Sequence, residues 1–159
     1  MTAALRVTWT LEGPGWAGCS VEDHRGRVDL VASDITEAPE DLLNAVARVV
    51  AGATESRAQF EAEPTAYRWI FYREGEDVWV RILELREGGH HDAKGTEIWS
   101  GPSDVDSLAR AVVRCFDEVA LIYGVSGYRG KWGEHFPSTE LEALRGIWHS
   151  RRSSDGVRG

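Results

Sequence analysis

Cysteine is scarce in this chain. Its 159 residues include two, Cys19 and Cys115, and neither has a neighbour at metal-ligand spacing, so no zinc site is expected and no metal is called for. Both read as small buried hydrophobes in a reducing cytoplasm, although spacing alone does not decide whether they pair. Long apolar runs are missing too. The longest, residues 119–125, falls far short of the roughly 20 residues that cross a membrane. No apolar run follows a basic cluster near Met1, so no secretory leader is expected. Basic charge is in deficit: 18 Lys and Arg stand against 26 Asp and Glu, a net −8. That balance disfavours nucleic acid and anionic membrane as partners, because both require a basic surface.

What is present suits one globular unit. At 42% hydrophobic residues the chain is too apolar for disorder, and a chain of this length buries roughly 70% of its unfolded surface without help from metal or disulfide. Residues 1–150 read as a single domain. Residues 151–159 hold three Arg against one Asp and read as a flexible tail, which leaves the domain more acidic than the whole.

Hydrophobic periodicity sets the elements. Leu5, Val7, Trp9 and Leu11 alternate with polar residues, Gly13-Pro14-Gly15 breaks the run, and two further alternating segments follow, a three-stranded meander. Pro39 then opens a helix with Leu42, Leu43, Val46, Val49 and Val50 on one face, closed by Gly52. Residues 57–63 alternate again, and residues 67–73 and 78–85 flank Glu74-Gly75-Glu76-Asp77 as a hairpin. A polar loop spans 86–95, and a short strand 96–100. From Ser103, a helical stripe of Val105, Leu108, Val112, Cys115, Phe116, Val119 and Ile122 runs to Gly124. Residues 124–136 read as irregular, and Leu141, Leu144 and Trp148 mark a last helix. The order βββ-α-ββββ-α-α predicts an α+β fold: an antiparallel sheet of six to seven strands with helices on one face.

Chemical motifs are few. His90-His91-Asp92 lacks a third ligand at a recognised offset and reads as a solvated loop. Residues 124–133 carry glycine at every third position, yet the P-loop and dinucleotide fingerprints both fail on spacing and context, so no cofactor is expected. Tyr128, Glu134 and His135 are the trio able to supply a proton donor, a base and an orienter to an enzyme. The seven Trp are the unusual feature. Trp9 and Trp148 fall on apolar faces. In the hairpin, Tyr67, Trp69 and Phe71 share one parity, and Arg68, Ile70 and Tyr72 the other. If helices cover one face, Arg68, Tyr72, Trp79 and Arg81 offer the aromatic and Arg composition of interface anchors. The alternative is a covering tail or loop, such as residues 124–136.

Two short segments resemble parts of a family of small bacterial immunity proteins, the antidotes of polymorphic toxins. Thr10-Leu11-Glu12-Gly13-Pro14-Gly15-Trp16, leading to Val21-Glu22-Asp23, is similar to that family's T-L-x-x-P-G-W approach to a strand. Trp99-Ser100-Gly101 before the amphipathic run from Leu108 to Phe116 is similar to its aromatic–glycine step. The resemblance implies stoichiometric binding of a toxin without catalysis. The expected function is therefore a cytoplasmic, non-enzymatic interaction domain, an immunity protein whose acidic body suits a basic toxin domain. The alternatives are a small enzyme or ligand-binding domain with a pocket between sheet and helices, and a structural homodimer formed through the exposed sheet face.

Overall fold

The period-2 segments become strands in a computed structural model, which describes residues 5–158, with side chains to residue 153. Strands β1 (Arg6–Gly13), β2 (Trp16–Asp23) and β3 (Gly26–Ser33) form an antiparallel meander. Helix α1 (Ala38–Val50) follows, with Pro39 in its first turn. Strands β4 (Glu55–Glu61), β5 (Ala66–Glu74), β6 (Asp77–Leu85) and β7 (Thr96–Asp104) pair in sequence order. Helices α2 (Val105–Trp132) and α3 (Ser138–Arg158) complete the chain. The class is α+β and the order βββ-α-ββββ-α-α, as the periodicity predicts. The seven strands divide into two antiparallel sheets, of three and four strands. Alternation marks a strand but carries nothing about which neighbour it pairs with.

The core draws on both sheets and all three helices. Trp9, Leu30, Leu42, Phe60, Trp69, Phe116 and Leu144 belong to one buried cluster, and Trp9 packs edge-on to Phe60 and Trp132 at 5.7 and 5.5 Å. Gly15, in the segment that carries the family resemblance, is structural. Its φ of 73° makes the β1–β2 turn, its N–H donates to the Lys131 carbonyl at 3.0 Å, and its own carbonyl accepts from the Asp34 N–H at 2.9 Å. A side chain there would stand 2.8 Å from the Asp34 carboxyl group, so this close junction requires glycine.

Three features depart from the expectations. Residues 124–136 are not irregular throughout. Gly124, at φ 70° and ψ 164°, breaks α2, and the helix resumes to Trp132, so a left-handed glycine here kinks rather than caps. Ile122 does not continue the buried stripe: Tyr123 takes the inward position, its hydroxyl accepting from the Leu11 N–H at 3.0 Å. Leu121, Ile122 and Val125 are 85%, 69% and 58% exposed. Helix α3 runs on through residues 151–158, the segment read as a tail, and Arg151 forms an ion pair with Glu76.

Candidate functional site

The four-stranded sheet presents two faces whose register is fixed by its ladder. Trp69 lies opposite Ile82 and Phe71 opposite Val80; these four join the core. The opposite parity points outward. There Tyr72 faces Trp79, Trp79 faces Pro102, Ile70 faces Arg81, and Arg68 faces Leu83. Arg68, Tyr72, Trp79 and Arg81 therefore share one face, and the structure splits that face in two.

One half is roofed by residues 86–95. Arg68, its side chain 13% exposed, donates to Gln59 Oε1, to the Gly88 and His90 carbonyls, and to Asp92 Oδ1. Asp92 also pairs with Arg57 at 2.7 Å. Hydrogen bonds from Arg57 and Arg68 hold the Asp92 carboxyl near 2, outweighing its partial burial. Beneath this roof Ile70, Leu83 and Leu85 are buried outside the main cluster, a satellite under a loop. Gly95 permits the approach, since a Cβ there would lie 3.1 Å from Leu83 and Leu85 side-chain atoms. A loop thus covers this half of the face, but it is the loop that includes His90 and His91 rather than residues 124–136. Its polar sequence hid this role, because Arg68 and Asp92 lie far apart in the chain.

The other half is open. Trp79 is 43% exposed and lines a groove of about 640 Å³ with Tyr72, Arg73, Glu74, Asp77, Val78 and Pro102. Arg81 donates to Glu97 at 2.7 Å and to the Tyr72 hydroxyl at 3.3 Å, which pins Tyr72 beside the indole. Arg68 faces the same way but is consumed by the roof. Of the four residues that sequence placed on this surface, Tyr72, Trp79 and Arg81 flank the groove and Arg68 supports the loop beside it.

Tyr128, Glu134 and His135 are divided differently. Glu134 and His135 line a shallow cavity of about 280 Å³ with Asp34, Glu37, Glu40 and Trp132. Tyr128 is fully buried, edge-on to Phe136 at 5.3 Å, and its hydroxyl has no hydrogen-bond partner among the described residues. Burial and then the nearby Glu40 push that hydroxyl well above its ordinary value, so it is a poor proton donor to anything in the cavity. Glu40, in the first turn of α1, is the perturbed carboxylate here. Burial, with Glu140, Glu37 and Glu134 around it, pushes it up to about 7 from an ordinary 4.5. The folded protein binds this proton more tightly than the unfolded chain does. Stability from it is full below about pH 4.5 and is lost as pH rises through about 7. Glu40→Gln should therefore raise the melting temperature at pH 8, by on the order of 3 °C, and change it little at pH 4. Equal shifts at the two pH values in thermal denaturation would show that charge is not the cause.

Both thiols are buried, and burial pushes each well above the ordinary thiol range. Native protein should resist a thiol reagent for hours and label at both positions only when unfolded. Rapid labelling of the native state would contradict that packing. Among the described residues, no group of three or more His, Cys, Asp and Glu side chains is placed to hold a metal ion. No described helix is long and apolar enough to cross a membrane.

No family model matches the chain, and no curated protein matches it. Among solved structures it is similar to a chain of the "CdiA-CT/CdiI toxin and immunity complex from Enterobacter cloacae", with a TM-score of 0.48 and 15% identity, over 71% of this chain and 99% of that one.

Proposed function

We propose that this chain is a non-enzymatic, cytoplasmic interaction domain, an immunity protein that neutralises a toxin by occupying it through the open half of the four-stranded sheet. The observation that carries this reading is Trp79: a large aromatic left 43% exposed on a hairpin whose other face is locked into the core. A rigid, half-exposed indole beside a pinned Tyr is the composition of an interface anchor. The net charge of −8 supports a basic partner, whose association it would speed while repelling acidic competitors. The short T-L-x-x-P-G-W resemblance points the same way. The trio Tyr128, Glu134 and His135 supports an enzyme poorly, since its proposed proton donor is sealed beneath the cavity.

The test is to read the neighbouring genes, where this proposal expects a toxin domain, to co-express that domain with this chain, and to measure binding of the purified pair. Protection of the host and a stoichiometric complex are expected. Trp79→Ala should weaken that complex at least about tenfold, because truncating a central anchor costs on the order of 2 kcal/mol, and should leave thermal stability nearly intact. No protection and no complex would overturn the reading, as would a metabolic gene neighbourhood with turnover of a small substrate. A large loss of melting temperature with unchanged binding would make Trp79 a core residue.

A further inference from the structure

Resting on the reading of the open sheet face as a binding surface, we propose that its occupant presents a protruding arginine or lysine whose stem lies along Trp79 and whose charge is received by Asp77 and Glu74. The register supplies the first argument. Glu74 lies directly opposite Asp77, and Asp77 directly opposite Asp104, so three carboxylate residues stand in one row across β5, β6 and β7. Like charges in facing positions repel, and the row shares its parity with Tyr72, Trp79 and Pro102. Asp104 is in part engaged, accepting from the Ser107 N–H and hydroxyl, each at 2.8 Å, as the N-cap of α2.

The neighbouring cations do not relieve this repulsion. Arg73 also lines the groove, but its guanidinium is directed to the Val49 and Gly75 carbonyls and to Glu76. Arg151 also goes to Glu76. Arg81, on the far side of Trp79, is held by Glu97. Among the described residues, the ion pairs at this end of the sheet converge on Glu76 and leave Glu74 and Asp77 to the groove they line.

Charge complementarity then selects the occupant. A second copy of this chain would bring its own acidic row to the same place, and a phosphate backbone would be repelled. A cation on a long apolar stem satisfies both parts of the groove, because the stem packs on the indole and the charge meets its π-face and the carboxylates. Arginine fits best, its planar guanidinium stacking on the ring while its edge donates to a carboxylate.

The experiment is a titration of the intact protein with the blocked peptide Gly-Gly-Arg-Gly-Gly, read at the Trp79 indole N–H by NMR. Saturable movement of that resonance is expected, with a dissociation constant on the order of millimolar. A citrulline peptide, alike in shape but uncharged, should bind at least about fivefold more weakly. Asp77→Asn should weaken the arginine peptide by a similar factor while leaving the melting temperature equal or higher, since it removes a repulsion. No movement at Trp79, equal binding of arginine and citrulline, or unchanged affinity in Asp77→Asn would each overturn the proposal, and so would spermidine binding as tightly as the peptide. The two readings fail separately. Loss of toxin binding in Trp79→Ala without arginine selectivity would end this inference and keep the interaction reading; arginine binding without any toxin complex would do the reverse.

Discussion

Trp69→Ala is expected to be the most destabilising single substitution of the hairpin, lowering stability by about 3–5 kcal/mol, the usual cost of emptying a buried aromatic site. Trp69 is fully buried and its ring lies 5.7 Å from Phe60 and 6.0 Å from Phe71, so truncation removes a central member of an aromatic row. Against a total of about 5–15 kcal/mol for a domain, this is a drop in melting temperature on the order of 10 °C or more. Trp69→Phe should cost much less. The indole N–H of Trp69 has no hydrogen-bond partner among the described residues, and phenylalanine removes that donor along with part of the ring. The informative comparison is with Trp79→Ala, ten residues on and on the opposite face. Chemical denaturation of the two variants should separate them by at least about 2 kcal/mol. Equal losses would show that the assignment of inner and outer faces is wrong.

That comparison also marks how far sequence could go. Alternation alone put Trp69 with Phe71 and Trp79 with Arg81, because side-chain direction in a strand follows parity. It could not say which parity faced solvent, since both carry bulky residues. The answer lies in the roof of residues 86–95, which depends on Arg68 meeting Asp92 and on Gly95 lying against Leu83 and Leu85. These are contacts between distant positions, and a loop of Gly, His and charged residues looks solvated when read locally. The division into two sheets was illegible for a related reason. Every expected strand is present, but the chain between β3 and β4 carries no sign that the edges remain unpaired. Gly124 reads locally as the end of a helix, whereas the helical residues after it include Tyr128 and Trp132, whose burial brings the chain back onto the core. The perturbation of Glu40 is not legible locally because, of its acidic neighbours, only Glu37 is close in the chain, whereas Glu134 and Glu140 come from the α2–α3 junction and from α3.

Arg68→Ala should separate the roof from the groove it borders. The guanidinium serves four acceptors at once: Gln59 Oε1, the Gly88 and His90 carbonyls, and Asp92. Its removal strands Asp92 on the more exposed Arg57 and leaves carbonyls of the loop without donors, a loss of about 3 kcal/mol for a largely buried charge partner. The loop should lift. Ile70, Leu83 and Leu85, now beneath it, would then meet solvent, so amide exchange should quicken in β5 and β6 and the variant should tend to aggregate. Arg68→Lys should not rescue the loop, because an ammonium is a point charge and cannot reach acceptors spread along a planar fork. Acid provides the control. The Asp92 carboxyl is held near 2 in the folded protein, below its ordinary 3.8, so its contribution is complete above about pH 4 and is lost as pH falls through about 2. The difference in stability between the parent and Arg68→Ala should therefore be constant above pH 4 and shrink toward pH 2. If the melting temperature of Arg68→Ala matched the parent at pH 7 and amide exchange were unaltered, Arg68 would not be the pillar of the roof, and it would return to the binding face as a free guanidinium beside Trp79.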